Sequence, residues 1–304
     1  MADVKIGAER AAELGLAPAS KPRGMVRRAW EVFAENKLAL AGLGFVVFIL
    51  LFCFVGPLIY RTNQVTTNLD TYLCRPSGAH LLGCDDLGYD ELGRLMIGGQ
   101  TSLEVGLAAA LVSVLVGTLY GAISGFAGGA VDAIMMRIVD AGLSIPGLMV
   151  IIILSVIFRP TPLVIIFIIA FLYWFGVARL VRGETLSLRT REYVQAVKVI
   201  GGRPLRSVTR HVIPNAIGTI IVQGTFAVAD SILILSGVGF LGLGVAPPAT
   251  DWGSMLSGGL NYIQGGNYWW LIYPPGVAII LTCIAFNFIG DALRDAFETR
   301  LQRR

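Results

Sequence analysis

The chain has 304 residues, of which 55% are hydrophobic and only 14% charged, with a mean hydropathy of +0.71 and a formal net charge of +4. An average soluble domain carries about 25% charged residues, so this composition excludes an ordinary soluble domain and places the chain in lipid. The basic excess is not interleaved with aromatic residues, so no nucleic-acid partner is expected.

Residues 1–24 are Ala, Pro, Gly and charge, with no apolar run in the first 20, which predicts a disordered cytoplasmic tail and no secretory signal. Over 25–37, Val26, Trp30, Phe33 and Ala34 share one helical face, opposite Arg27, Arg28, Glu31, Glu35 and Lys37. That pattern predicts an interfacial helix, or a polar extension of the span that follows. A membrane helix needs about 20 mostly apolar residues. Six segments qualify: Leu38–Tyr60, Leu103–Ser124, Leu143–Phe158, Leu163–Val181, Ala216–Val238 and Pro274–Gly290. The predicted fold class is an all-α polytopic membrane protein, with a transmembrane domain over 38–296 and a short tail over 297–304. Of the 24 Lys and Arg residues, 20 fall at the termini and in alternate loops, against 4 in the others. The positive-inside bias therefore puts both termini and the Arg179–Asn215 loop in the cytoplasm.

The loop over 61–100 is then external, where disulfides persist. It carries Cys74 and Cys84, expected to form a disulfide that closes a short loop. A metal site from Cys74, His80, Cys84 and Asp85, or two free thiols, are the alternatives; with one His and irregular spacing, no metal is expected. Cys53 and Cys283 lie inside apolar spans and read as small buried hydrophobes. Gly117, Gly121, Gly125, Gly128 and Gly129 space small residues along and just past the second span, as close helix packing in membranes requires. Asp230, about 15 residues into the fifth span, is a carboxylate where charge is costly. It marks a candidate pathway residue that could attract a peptide amine, or else a solvated group near the outer mouth. The loop Gly244–Tyr273 has no Lys or Arg but carries Trp252, Tyr262, Tyr268, Trp269 and Trp270, which reads as an interfacial aromatic belt or a gate.

The segment Glu192–Asn215 is polar and helical in pattern, broken by Gly201-Gly202 and Pro204. A helix, a turn and a second helix outside the lipid would form a docking surface. Its spacing, with Gln195, Ala196 and Val197, then Gly201, then Pro214, resembles the cytoplasmic EAA loop of ABC importer permeases, E-A-A-x3-G-x9-I-x-L-P. Here Gln195 replaces the Glu, Val197 the second Ala, His211 the Ile and Ile213 the Leu. The resemblance implies a coupling loop over 182–215 in which Gln195, Ala196, Val197, Gly201, Gly202 and Pro214 seat in a separate ATPase.

Leu82–Leu103 is similar to a stretch of the C-type permease subunit of oligopeptide and dipeptide importers, F-G-T-D-x-x-G-R-D-x-x-S-R-x-x-x-G-x-R-x-S-L. Gly83, Asp85, Gly88, Asp90, Arg94, Gly98, Ser102 and Leu103 match, while Tyr89, Gly93 and Gln100 replace Arg, Ser and Arg. Further matches follow in order, among them Val116–Gly121, Ala178–Gly183, Phe240–Gly244, Trp252-Gly253 and Phe286–Asp295. Leu235 stands where that family usually carries Glu, which makes Asp230 a displaced counterpart. The resemblance implies a permease importing oligopeptides or dipeptides, with nickel or an oligosaccharide as the alternative cargo. It implies a second homologous permease subunit, two ATP-binding subunits that hold ATP and Mg, an extracytoplasmic substrate-binding protein and surrounding membrane lipid. No G-x4-G-K-[ST] phosphate loop occurs in the chain, so no ATP site and no cofactor of its own are expected. An intramembrane enzyme would need paired catalytic groups, and the two histidines, His80 and His211, fall on opposite sides by the charge bias.

Overall fold

A computed structural model describes residues 25–62, 64, 66–158, 160–192, 208–262 and 266–298. Among them the chain is helical, and its one strand-like feature is an isolated antiparallel bridge between Cys84 and Asp90. Five helical segments are long and apolar enough to cross a membrane, or six if a bent pair is counted as one span.

The first helix, α1 (Met25–Glu35), packs Phe33 against Ala39 and Ala292. It stops because Asn36 caps the next helix, its Oδ1 accepting from Leu38 N at 3.0 Å and Ala39 N at 3.2 Å. The expected interfacial segment 25–37 thus divides at Asn36. Helix α2 (Lys37–Phe54) and the single turn α3 (Gly56–Ile59) make the first span.

Helix α4 (Glu91–Ala127) has 37 residues, about 55 Å at 1.5 Å per residue, so it projects well past a ~30 Å hydrocarbon core. It starts twelve residues before the expected second span, and the external loop expected over 61–100 ends at Asp90 instead. The cause is local: Asp90 Oδ1 accepts from Gly93 N at 2.8 Å, a side-chain cap that starts the helix in polar sequence.

The third predicted span, Leu143–Phe158, is corrected. Two helices, α5 (Gly129–Ser144) and α6 (Gly147–Ile157), meet there at 79°. Pro146 disfavours helical backbone at the residue before it, and Ile145 is extended with φ −89° and ψ 130°.

Helix α7 (Pro162–Arg189) forms the next span and runs past the expected start of the 182–215 loop. A π-helical turn, Val208–Val212, leads into α8 (Ile213–Phe240), with Pro214 in its first turn, where a missing N–H costs little. A short helix α9 (Trp252–Leu260) precedes α10 (Tyr273–Glu298).

The glycine series fixes how α4 meets α7. A side chain at Gly117 would strike Val177 at 2.6 Å and Trp174 O at 2.7 Å, one at Gly121 would strike Ala178 O, and one at Gly125 would meet Thr185 at 2.8 Å. Spacing of four residues puts all three on one face, and the two backbones touch along it. Elsewhere along α4, the main apolar core joins α2, α4, α8, α9 and α10 through Ile49, Leu103, Ile232, Trp252 and Phe286.

Candidate functional site

Three regions hold the residues that the sequence singles out: a cap at the start of α4, the opposite end where α4 finishes, and an open face of α8 between them.

The cap is built on backbone pairing. Leu73 N donates to Asp85 O at 3.0 Å and Cys84 N to Cys74 O at 2.9 Å, which lays the two cysteines side by side. Gly83, at φ +71°, allows this turn, since a Cβ there would stand 2.5 Å from Cys74 O. Cys74 and Cys84 are joined by a disulfide with Cα atoms 4.8 Å apart. Asp85 is not grouped with these cysteines. Its Oδ1 accepts from Tyr89 N at 2.8 Å and Leu87 N at 3.0 Å, and its Oδ2 lies 3.7 Å from Arg94 Nε. Burial still pushes the Asp85 carboxyl above the usual carboxylate range, against those contacts. Asp90 Oδ2 accepts from Tyr60 Oη and faces His80 Nδ1, both at 2.9 Å.

Two of the departures from the resembled stretch have local roles. Tyr89 is buried and takes the Arg94 guanidinium over its ring at 4.6 Å. Gln100 Nε2 donates to Cys53 O at 2.8 Å and ties α4 to α2.

The aromatic loop contributes to this cap, and the belt reading is corrected for its two central tryptophans. Trp252 is fully buried, its Nε1 donating to Leu95 O at 3.0 Å, and buried Trp270 donates to Cys84 O at 3.3 Å. Trp269 alone among these tryptophans is exposed. Asp251, which sequence reasoning missed, anchors the loop. Its carboxylate accepts from Gly253 N, Ser254 N, Val245 N and Ser254 Oγ at 2.6–3.2 Å. Burial pushes that carboxyl up while the four donors pull it down. An Asp directly before Trp252-Gly253 is an N-cap signal that could have found it.

At the opposite end, Asp132 is buried and receives Arg182 through two bonds, 2.8 Å from Nε and 2.6 Å from Nη2, as well as Ser124 Oγ at 2.5 Å. Arg179 pairs with Asp140 at 2.5 Å in solvent, and Arg189 Nη1 donates to Gly125 O at 3.0 Å. Three arginines of α7 thus clamp α4 and α5 just before the chain enters residues 193–207. Gln195, Ala196, Val197, Gly201 and Gly202 lie outside the described residues. Pro214 opens α8, and buried Val208 packs with Val177, Val181, Ala122 and Ala216, so both ends of that segment are rooted in one apolar cluster.

Between the two ends, Asp230 lies on the exposed face of α8, with Leu233 and Gly237 beyond it. Tyr173 and Cys283 lie within electrostatic range of its carboxylate. Leu235 is fully buried among Val105, Ala109, Ile165 and Ile169. Five residues along a helix rotate a side chain by about 140° beyond a full turn, so Asp230 faces away from the buried position of residue 235. Cys53 is buried and free, and Cys283 is partly buried and free.

Residues 117–303 match the model of the binding-protein-dependent transport system inner membrane component, and residues 24–76 match that of the N-terminal TM domain of oligopeptide transport permease C. The chain is 39% identical over 275 residues to the dipeptide transport system permease protein of Bacillus subtilis (strain 168), covering 90% of this chain and 86% of that protein. It is 40% identical over 280 residues to the oligopeptide transport system permease protein of Escherichia coli (strain K12), covering 91% and 92%. The oligopeptide permease of Bacillus subtilis (strain 168) is 39% identical over 271 residues, covering 89% and 88%. With a family model spanning most of the chain and relatives aligned nearly end to end, this protein belongs to the binding-protein-dependent transport system inner membrane component family.

Proposed function

We propose that the chain is one transmembrane half of an ATP-driven ABC importer that carries oligopeptides or dipeptides across the cytoplasmic membrane. The observation that carries this reading is the near end-to-end similarity to permeases named for dipeptide and oligopeptide transport. Those names favour a peptide over nickel or an oligosaccharide. A second homologous permease subunit completes the pathway along the uncovered face of α8, and an extracytoplasmic binding protein delivers cargo to the cap. Two ATP-binding subunits supply the energy, holding ATP and Mg, and dock at the 182–215 loop, with Gln195, Ala196, Val197, Gly201, Gly202 and Pro214 as the seating residues.

Both termini and that loop are cytoplasmic in this reading, in keeping with the 20-to-4 distribution of basic residues. The Arg182–Asp132 and Arg189–Gly125 contacts tie the base of the loop to α4 and α5, which suits an element that passes ATPase closure into α7 and α8. Asp230, exposed at mid-helix on the open face, lines the pathway and attracts the amino group of the peptide. The delivery protein, purified from cells and read by mass spectrometry, should carry peptides. Recovery of only a metal or a sugar would remove the peptide assignment.

A further inference from the structure

Cys74, His80 and Cys84 offer three ligand atoms that all lie within 4.8 Å of one another, the one such His/Cys/Asp/Glu group among the described residues. Tetrahedral zinc binds Cys sulfur at about 2.3 Å and His nitrogen at about 2.0–2.1 Å, so its ligand atoms stand about 3.5–3.8 Å apart. The two sulfurs stand closer than that while bonded, and reduction frees them to part to that spacing with a His80 ring nitrogen already within 4.8 Å of both. We propose that it is a redox-gated zinc site, closed while the cysteines form their disulfide and open once they are reduced to a dithiol.

Three features support this assignment. First, the two cysteines are held together by more than sulfur: Cys84 N donates to Cys74 O, and the neighbouring Leu73 N donates to Asp85 O. Reduction therefore leaves the thiols adjacent. Second, His80 sits in a fixed turn, its carbonyl accepting from Ser77 N at 2.8 Å and Gly83 N at 3.0 Å. Third, Asp90 Oδ2 lies 2.9 Å from His80 Nδ1, and the Asp90 side chain is 2% exposed. A buried carboxylate on one ring nitrogen fixes the proton there and leaves the Nε2 lone pair for a metal, as the outer partners of zinc histidines do. His80 is 30% exposed, which gives an ion a way in and leaves a fourth position for water.

The chemistry balances with a dithiol as the reductant. Two electrons and two protons pass from the dithiol to the Cys74–Cys84 bond, which breaks into two thiols while the donor becomes a disulfide. Zinc then displaces the two thiol protons and takes Cys74 Sγ, Cys84 Sγ and His80 Nε2. Metal replaces the covalent bond, and the loop stays pinned to the start of α4 in either redox state.

The test uses the full chain in lipid nanodiscs, in a Cys53→Ala/Cys283→Ala background that removes the other thiols. After anaerobic reduction by a dithiol and desalting, zinc alone is added and the protein is passed through gel filtration. The reduced chain should retain one zinc, and the oxidised chain none. Cobalt as a spectroscopic stand-in should give a thiolate charge-transfer band only after reduction. His80→Ala should weaken zinc binding at least tenfold, and Asp90→Asn, which keeps a capping side chain, by ten- to a hundredfold. X-ray absorption of the zinc-loaded chain should show two sulfur ligands and an imidazole, a readout that needs no variant. Equal zinc retention in both redox states, unchanged affinity in His80→Ala, or a shell without imidazole would overturn the proposal.

Discussion

The two ends of the helix bundle are held by different physics. At the cap, a disulfide, backbone pairing and buried N-caps at Asp90 and Asp251 fix loops that lack regular structure of their own. At the other end, arginines of one helix reach carboxylates and a carbonyl of two others. Bonds of the first kind resist any displacement. Ion pairs partly open to water tolerate small shifts and re-form, which suits the end from which a partner is proposed to push. Under the proposed function, the stiff cap is the end that receives cargo and the adjustable root the end that takes up motion.

The comparison breaks most directly at the seam that joins the two ends. Gly121→Leu would force α4 and α7 apart where a Cβ already meets Ala178 O, and overpacking costs about 1–3 kcal/mol, more where the obstacle is backbone. The variant should lose most of its folded yield on detergent gel filtration. Gly176→Leu, with nothing within 4 Å, should be recovered like the parent. Equal recovery of the two variants would dismiss the backbone seam as the axis of the fold.

At the cap, Cys74→Ser in metal-free buffer removes a closure over ten residues, worth about 2–3 kcal/mol on chain-entropy reasoning. Proteolysis of the 66–90 segment should accelerate while the helices stay protected. Acceleration across the whole chain would instead mean that the cap holds the bundle together.

At the root, Asp132→Ala leaves Arg182 without its bidentate partner. Breaking a fully buried pair costs about 3–5 kcal/mol, and because Arg182 is one-third exposed the expected loss is smaller, about 2 kcal/mol. A double-mutant cycle with Arg182→Ala should return most of that loss as coupling energy. Arg179→Ala, at a pair half open to solvent, should cost under about 1 kcal/mol. Similar costs for Arg179→Ala and Asp132→Ala would erase the distinction between the exposed and the partly buried contacts of this clamp.

Several of these features were legible in the sequence. Gly117, Gly121 and Gly125 announce a close helix contact by spacing alone, and Cys74 and Cys84 announce a bridge by proximity in one loop. The early start of α4 was legible in part, because Asp90 is a good N-cap, yet the apolar signal begins only near Leu103. The bend at Ile145-Pro146 was hidden inside a continuous apolar run, where hydropathy outweighs the proline that breaks it. Trp252 and Trp270 looked like a belt because composition cannot tell an interfacial tryptophan from one whose N–H finds a buried carbonyl. The Arg182–Asp132 clamp spans fifty residues, and no local pattern predicts such a pairing.

The central claim is that the 182–215 loop passes nucleotide-driven motion from partner ATPases into this chain. Its most direct test is Gly201→Val in the complete importer reconstituted in lipid, read by cargo-stimulated ATP hydrolysis and peptide uptake together. A β-branched side chain in place of the motif glycine would obstruct the close approach that seating in an ATPase groove requires, and a loss of about 1.4 kcal/mol is a factor of ten in docking. The account predicts a fall of about tenfold in both readouts, with normal membrane insertion and normal cargo binding by the delivery protein. Stimulation and uptake both at the parent level would contradict it.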